Sequence, residues 1–322
     1  MATLSDVAKK ANVSKMTVSR VINHPEQVSE ELKDLVHKAM EELNYEPNYA
    51  ARALVQNRTQ VVKLLILEEI DTTEPYYMNL LTGISRELDK YYYSLQLVTR
   101  KSQSIGAYDG LIATGVREAD FTDLSWKFNK PIILYGENNH GFDFIDVDNS
   151  AGTEMAARHV YECGFRHILF FGIDYRNELF MQARLSGYQR VMDETGLEKD
   201  AYFLKNSSNV AEEKMKELLE HIPGKFAVVC ASDRLAIGVV RAVAASGRAF
   251  GSDIAVTGFD GVFLDRISSP KITTVRSPVI EMGEACARML LQKINDKGKP
   301  QQSIRFRPEL IIRGSTTGQP DH

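Results

Sequence analysis

A run of polar side chains between positions 14 and 23 combines residue types that can contact double-stranded DNA. Arg20 carries a guanidinium fork that can bond bidentately to guanine, and Lys15 adds a second positive charge nearby. Met16 offers an apolar contact for a thymine methyl group, and short hydroxyl and amide donors suit phosphate oxygens. The candidate DNA-contacting residues of this run are Ser14, Lys15, Met16, Thr17, Ser19, Arg20 and Asn23.

Two short helices are predicted to position these side chains. Apolar residues of segment 4–11 recur at helical spacing, and Thr3 can cap that helix with Asp6 in the capping-box position. After a break of a few residues, Ser14 can cap a second helix over about 15–23. Two helices joined by such a turn form a helix-turn-helix, whose second helix enters the major groove.

A third helix is predicted to complete the small core beneath them, with Ser29 as its cap. Its predicted core face consists of Leu32, Leu35, Val36, Ala39, Met40 and Leu43. A generic three-helix bundle with a solvated polar face is the alternative interpretation of this region.

The charge of the chain is distributed unevenly over its first 63 residues. The whole chain has a formal net charge of −4, from 39 Lys and Arg against 43 Asp and Glu. Segment 1–24 carries +3, segment 25–49 carries −5 and segment 50–63 carries +3. Because phosphate binding needs positive charge only at the contact surface, the acidic total does not exclude DNA.

Length and composition restrict the remaining possibilities. At 322 residues and 43% hydrophobic content, the chain predicts two or three folded domains. We find no apolar run of the ~20 residues that span a bilayer, and no pattern of a signal peptide. Three distant cysteines argue against a disulfide scaffold or a zinc site and favour a reducing, cytoplasmic location.

The N-terminal motifs resemble the lactose-repressor/galactose-repressor family of bacterial transcription regulators. The matching segments are TLSDVA at 3–8, ANVS at 11–14, TVSRVIN at 17–23, AMEELNYEPN at 39–48 and ARAL at 51–54. The resemblance implies a helix-turn-helix DNA-binding domain over 1–46. It also implies a homodimer that binds a near-palindromic operator.

The segment 47–59 is predicted to hold a short hinge helix and linker. By resemblance, this helix orders on operator DNA and contacts it through Asn48, Ala51 and Leu54. Leu54 matches the apolar wedge that opens a base step in the minor groove. From the residues alone, a plain linker remains the alternative.

Beyond residue 60, apolar runs alternate with helical stretches, which predicts an α/β fold with doubly wound parallel sheets. The predicted strands are Val61–Leu67, Ser94–Thr99, Gly110–Ala113, Ile132–Leu134, Phe144–Val147, His167–Gly172, Ala227–Cys230 and Ile254–Gly258. The predicted helices are Tyr77–Lys90, Ala151–Cys163, Phe180–Glu194, Ala211–His221, Asp233–Ser246 and Ile280–Asn295.

The same family resemblance implies an effector-binding and dimerisation core over 60–322, with two subdomains of the periplasmic-binding-protein type. The expected N-subdomain comprises about 60–148 and 276–297, and the C-subdomain about 149–275 and 298–316. Segment 313–316 is expected to be a closing strand. Only Lys101 to Ala107 connect two strands where the family usually places a helix. This shortening resembles that of galactose- and β-galactoside-type regulators, and the resemblance implies a galactoside-like effector.

An effector site is expected between the subdomains, because ligands of such sheets lie beyond the carboxyl ends of the strands. By resemblance, its residues are Tyr76, Tyr77, Arg184, Ser232 and Asp260. A carboxylate, an arginine fork and aromatic faces suit a sugar. Alternatively, Arg184 pairs with Asp233 and the tyrosines belong to the core. The loop from Glu68 to Asp71 could add a hydroxyl acceptor.

We therefore predict a DNA-binding repressor of a carbohydrate-utilisation operon that a small sugar releases from DNA. A purine-responsive or phosphosugar-coregulated regulator is one alternative, and a sugar-binding module without a DNA role is another. Enzyme motifs such as GxxxxGK[ST], HExxH and GxSxG are absent from the sequence. The acidic cluster Asp143, Asp146 and Asp148 favours a strand edge over a metal site, so we predict neither metal nor cofactor.

Overall fold

The chain is described here by a computed structural model that covers residues 2–23, 27–45, 58–68, 75–102, 106–123 and 130–318. It forms two compact units, Met1–Thr59 and Gln60–His322. Within the described ranges, every helix is too short or too polar to cross a lipid bilayer.

The first unit contains three helices in its described part: α1 (Leu4–Lys10), α2 (Lys15–Asn23) and α3 (Glu30–Glu42). Thr3 and Asp6 form the predicted capping box on α1. The helices enclose a small core whose buried members are Val7, Ala8, Ala11, Val18, Val21, Val36 and Ala39. The prediction that Leu35 belongs to this core is wrong, because Leu35 lies at the flank of the apolar face and is 47% exposed.

The second unit alternates strands and helices along the chain, as predicted. Its strands are β1 (Val61–Ile66), β2 (Ser94–Thr99), β3 (Gly110–Thr114), β4 (Ile132–Tyr135), β5 (Phe144–Val147), β6 (Ile168–Ile173), β7 (Asp200–Leu204), β8 (Phe226–Cys230), β9 (Ile254–Asp260), β10 (Thr273–Arg276), β11 (Ile304–Phe306) and β12 (Glu309–Ile311). Its helices are α4 (Tyr76–Asp89), α5 (Asp120–Asp123), α6 (Asn149–Glu162), α7 (Leu179–Thr195), α8 (Ser208–His221), α9 (Asp233–Ser246), α10 (Leu264–Ile267), α11 (Val279–Asn295) and α12 (Gly314–Thr317).

The strands form two sheets of six within the described residues, which confirms the doubly wound fold. The N-subdomain sheet has the order β2-β1-β3-β4-β5-β11, and its neighbouring strands are parallel. The C-subdomain sheet has the order β7-β6-β8-β9-β10-β12, with β12 antiparallel to β10 and its other pairs parallel. Apolar side chains of both sheets contribute to one large buried cluster.

The chain passes between the subdomains three times. It leaves the N-subdomain after β5, returns after β10 to form α11, and leaves again between β11 and β12. The expected last boundary near 297 is wrong, because β11 pairs with β5 and so belongs to the N-subdomain. The third passage therefore lies between Phe306 and Glu309.

The C-terminal segment 313–316 differs from the predicted closing strand, because Gly314–Thr317 forms the short helix α12 and the antiparallel edge is Glu309–Ile311. Ser315 explains the difference. Its hydroxyl donates to the carbonyl of Val256 at 2.6 Å and accepts from the amide of Thr273 at 2.8 Å. Side-chain bonds thus attach this segment to the sheet without a strand ladder.

Three glycines allow the three main helix pairs of the core to pack closely. Each lies where a Cβ atom would overlap a backbone carbonyl oxygen of the partner helix. Gly83 of α4 faces Ile280 of α11, Gly187 of α7 faces Ser150 of α6, and Gly238 of α9 faces Ser208 of α8. These close contacts fix the helices against the sheets and so position the residues at the strand ends.

The short connection between β2 and β3 leaves one face of the N-subdomain sheet with unusual packing. In the described part of this connection, segments 100–102 and 106–109 contain no helix. On that face, Lys63 of β1 is fully buried, and its ammonium group lies 5.2 Å from the ring centre of Tyr108. Among the described residues, the Lys63 Nζ atom has no hydrogen-bond partner.

Candidate functional site

The exposed face of α2 presents the predicted DNA-contacting side chains together. Lys15, Met16 and Arg20 are exposed, and Met16 is 70% exposed despite being apolar. Ser14 caps the helix, because its hydroxyl accepts from the amide of Thr17 at 3.0 Å. The two hydroxyls also bond to each other at 2.8 Å, so they stand together at the N-terminus of α2.

This face can contact a phosphate backbone and base edges at once. The N-terminus of a helix favours anions, and α2 has no acidic residue in its first turn. Ser19 is half-buried beside the exposed cations. The side chain of Asn23 and the predicted hinge contacts Asn48, Ala51 and Leu54 lie outside the described residues, so their roles stay predictions.

The candidate effector site is built around the pair of Arg184 and Asp260. Arg184 lies on α7 and Asp260 ends β9, and their side chains approach to 3.6 Å. The Arg184 guanidinium also donates to Asn149 at 2.8 Å and to the carbonyl of Ala231. The expected alternative, a pair between Arg184 and Asp233, is not what the structure shows.

Aromatic rings enclose this ion pair. The Arg184 guanidinium lies 3.7 Å from the ring centre of Phe259 and 5.6 Å from that of Phe180. A planar cation stacked in this way keeps its orientation while its edge hydrogens remain directed at acceptors. Asp260 retains 26% exposure of its side chain. The arrangement therefore offers an oriented donor, an acceptor and apolar faces in one place.

The two predicted tyrosines lie at the start of α4 in the N-subdomain. Tyr76 bonds through its hydroxyl to that of Tyr135 at 2.9 Å, and its ring is edge-on to that of Tyr77 at 5.9 Å. Burial, followed by the charge of Asp260, raises the pKa of Tyr76. Its hydroxyl therefore stays protonated near Asp260, across the subdomain boundary. The structure thus brings Arg184 and Asp260 into contact and places Tyr76 near enough for the charge of Asp260 to affect its pKa.

Ser232 occupies a different kind of position. It is 2% exposed and caps α9, because its hydroxyl accepts from the amide of Leu235 at 3.2 Å. The same hydroxyl donates to Asn206 at 2.8 Å. The structure therefore places Ser232 at a helix cap beside Asn206, and its contact with an effector stays a prediction.

The acidic cluster of Asp143, Asp146 and Asp148 lies along β5, and each of its carboxylates has a different structural role. Asp143 pairs with Lys293 at 2.5 Å, and Asp148 caps α6 through the amide of Ala151. Asp146 is buried and accepts from the amides of Glu137 and Val147 at 2.8 and 2.7 Å. Burial raises the pKa of Asp146. In the part of the chain that the structure describes, no group of three His, Cys, Asp or Glu could hold a metal.

A second set of residues joins the subdomains at one edge of the cleft; it combines the predicted Glu68 and Tyr77 with Arg117, which the sequence did not indicate. Arg117 follows β3 and pairs with Glu68 at 2.5 Å, and Glu68 also accepts from the hydroxyl of Tyr77. The guanidinium of Arg117 lies 4.5 Å from the ring centre of Tyr175 and 5.3 Å from that of Phe180, both in the C-subdomain. In the sequence, the only feature that could have suggested Arg117 is its position just after the end of a predicted strand.

Comparison with known proteins agrees with both units. Residues 3–48 match a family model described as bacterial regulatory proteins, lacI family, and residues 157–316 match a periplasmic binding protein-like domain. The chain is 63% identical over 316 residues to the HTH-type transcriptional regulator YvdE of Bacillus subtilis (strain 168), with coverage of 98% of this chain and 100% of that protein. It is 30% identical over 335 residues to the HTH-type transcriptional repressor PurR of Mannheimia succiniciproducens, with 98% of each covered.

A solved structure shows the same architecture. The complex of the transcriptional regulator CelR with cellobiose matches with a TM-score of 0.73 and 27% identity, covering 98% of this chain and 100% of that one. These relatives are transcription regulators and not enzymes. The helix-turn-helix of residues 3–48 and the two-sheet core therefore identify the chain as a DNA-binding transcriptional regulator of the lacI family.

Proposed function

We propose that this regulator is the cytoplasmic repressor of a carbohydrate-utilisation operon, and that a small sugar bound between its subdomains releases it from operator DNA. It acts as a homodimer on a near-palindromic site. Sugar binding changes the closure of the subdomains and thereby the hinge helices, which lowers the affinity for DNA by differential binding to two states. In its more specific form, this proposal names a galactoside-like sugar as the effector.

The observation that carries this proposal is the Arg184–Asp260 pair, whose guanidinium lies beside the rings of Phe180 and Phe259. Sugar hydroxyls need both acceptors and donors in fixed directions, and the apolar face of a sugar ring packs on aromatic side chains. The relative CelR, whose structure was solved with cellobiose, supports the same ligand class.

A thermal-shift panel tests the ligand class directly. We expect stabilisation of the full-length chain by at least one of glucose, galactose, ribose, lactose, maltose and cellobiose, because a ligand that binds only the folded state raises the unfolding temperature. Hypoxanthine and guanine belong in the same panel, because a purine-responsive regulator is the alternative. A shift with a purine and with no sugar would refute the sugar proposal.

The site is tested by Asp260→Asn. We expect this variant to lose its response to the stabilising sugar while binding a selected operator duplex as tightly as the unchanged chain, measured by fluorescence anisotropy. Arg20→Ala is the complementary variant. It should lose operator affinity and still be stabilised by the sugar in the thermal-shift measurement. Normal sugar release of the Asp260→Asn variant from DNA would contradict the proposed site.

Deletion of residues 1–56 separates this proposal from a sugar-binding module without a DNA role. The shortened chain is expected to keep sugar binding and to lose operator binding. Sedimentation equilibrium of the full-length chain checks the homodimer, which a symmetric operator requires.

A further inference from the structure

The backbone at Asp260 adopts a conformation that L-amino acids rarely occupy. Its φ angle is +106°, whereas this region is otherwise populated mainly by glycine. Such residues persist only where the surrounding structure holds them, and they concentrate at functional sites. The direction in which the Asp260 carboxylate points therefore depends on the contacts that hold this turn.

The main contact that holds the turn comes from Asp233, the first residue of α9. One carboxylate oxygen of Asp233 accepts from the amide of Gly261 at 2.8 Å, directly after Asp260. The other accepts from the hydroxyl of Thr274 on β10 at 2.6 Å. Asp233 thus connects the end of β9 to its neighbouring strand. The carbonyl of Asp260 itself accepts from the amide of Ser277 at 3.1 Å.

The surroundings of Asp233 are shaped for this carboxylate. Gly258 lies opposite it on β9, and a Cβ at that position would overlap its oxygen. Asp233 is 3% exposed, so it offers almost no surface to a ligand in the cleft. Burial and the nearby charge of Asp260 both raise the pKa of Asp233. Keeping a carboxylate here is therefore costly, although α9 would tolerate other residues at its first position.

We propose that Asp233 is a positioning residue for the effector site, which holds the left-handed turn at Asp260 so that the Asp260 carboxylate faces Arg184 and the bound sugar. Asp233 sets the sugar affinity without touching the sugar. This inference rests on the proposed function, because it assigns to Asp233 a role that acts through Asp260.

The test compares Asp233→Ala with Asp233→Asn in the full-length chain. Binding is measured by titration calorimetry with whichever sugar of the panel (glucose, galactose, ribose, lactose, maltose or cellobiose) shifts the melting temperature most. Asp233→Ala leaves the Gly261 amide unpaired and is expected to weaken sugar binding by about tenfold or more. Asp233→Asn can still accept from Gly261 through its amide oxygen while its NH2 group donates to Thr274, so we expect affinity within about threefold of the unchanged chain.

Two further variants separate positioning from general stability. Gly258→Ala displaces the Asp233 carboxylate and should weaken sugar binding as Asp233→Ala does. Asp143→Asn alters a buried carboxylate of the other subdomain, which pairs with Lys293 at 2.5 Å and has no contact with Asp233 or the 260–261 turn among the described residues. It should lower the melting temperature and leave sugar affinity unchanged. Operator binding confirms that each variant is folded.

The outcomes distinguish this inference from the proposed function. If Asp260→Asn loses sugar affinity while Asp233→Ala and Gly258→Ala keep it, Asp233 has no positioning role and the inference is overturned. Equal loss in Asp233→Ala, Asp233→Asn and Asp143→Asn would indicate a stability effect and would also overturn it. If Asp260→Asn binds the sugar normally, or if no sugar of the panel binds, the proposed function fails and this inference fails with it.

Discussion

Arg117 provides the most direct test of how closure of the cleft is coupled to effector binding. Its guanidinium lies over Tyr175 and Phe180 of the other subdomain, at 4.5 and 5.3 Å from the ring centres. Its pair with Glu68 joins two residues of the N-subdomain, so opening of the cleft need not break it. Arg117→Ala therefore removes the two ring contacts that depend on the closed arrangement.

The magnitude follows from those two contacts. A cation over an aromatic ring contributes about 0.5–1 kcal/mol at exposed sites and about 2 kcal/mol where water is excluded. The side chain of Arg117 is 22% exposed, which lies between these cases. Two rings then favour closure by about 1–3 kcal/mol, which corresponds to about 5- to 150-fold in the ratio of closed to open forms.

Sugar titration of Arg117→Ala measures the effect. The candidate site draws residues from both subdomains, so we expect the closed form to bind the sugar more tightly. A smaller population of the closed form in Arg117→Ala then weakens the apparent sugar affinity by up to the same 5- to 150-fold, roughly. Arg117→Lys keeps the charge but not the planar stacking, so its sugar affinity should lie between those of the unchanged chain and Arg117→Ala. Small-angle X-ray scattering of the sugar-free variant should show a larger radius of gyration.

Arg176→Ala is the matched control, because Arg176 lies 4.4 Å from the ring centre of Phe203 within the same subdomain. It should change neither sugar affinity nor the radius of gyration. Equal sugar affinity and equal radius of gyration for Arg117→Ala and Arg176→Ala, or an equal loss of sugar affinity in both, would show that Arg117 does not favour closure.

Three further predictions concern other parts of the chain. Lys63→Met should raise the free energy of unfolding by about 1–3 kcal/mol at pH 7, because the buried ammonium has no hydrogen-bond partner among the described residues. Burial lowers the pKa of Lys63, so the folded chain holds this proton less tightly than the unfolded chain. Urea titrations should therefore show the advantage of Lys63→Met shrinking as the pH rises from 7 toward 10; an advantage that grows with pH would contradict the assignment. Gly238→Ala should destabilise the core by about 1–3 kcal/mol or more, since its Cβ would overlap Ser208, whereas Glu213→Ala on the exposed face of α8 should change stability by less than about 0.5 kcal/mol. Equal melting temperatures for these two variants would rule out the close helix contact. Leu54→Ala should weaken specific operator binding by more than about tenfold if Leu54 opens a base step, and unchanged anisotropy titrations would exclude that role.

The fold was largely predictable because its strands are strongly apolar and its helices are regular. The strands that sequence reasoning missed are short or lie at edges of the sheets. β7 is only partly buried, and β11 and β12 have three residues each. Such strands gain their stability from a neighbour that is distant in sequence, as β11 does from β5. No local pattern shows that pairing, and the last passage between subdomains was misplaced for the same reason.

The candidate site was predictable only where a motif marked a residue. Arg184 and Asp260 are brought together as expected, although they lie far apart in the sequence. Asn149, Phe259 and Arg117 were missed because their roles depend on side-chain directions that only the folded sheets fix. Ser232 shows the opposite case, since its hydroxyl has local partners that the motif did not reveal.

The placement of β11 has a consequence for synthesis of the chain on the ribosome. The N-subdomain sheet joins β1 at Val61–Ile66 to β11 at Ile304–Phe306, and one of its faces is covered by α11. The N-subdomain therefore cannot finish folding until both α11 and β11 have left the ribosome. The C-subdomain waits only for its edge strand β12 and the short helix α12, because β6 to β10 and the helices between them precede α11. Because unpaired parallel strands with distant partners expose apolar surface, we expect the nascent N-subdomain to be exposed to aggregation for longer than the C-subdomain.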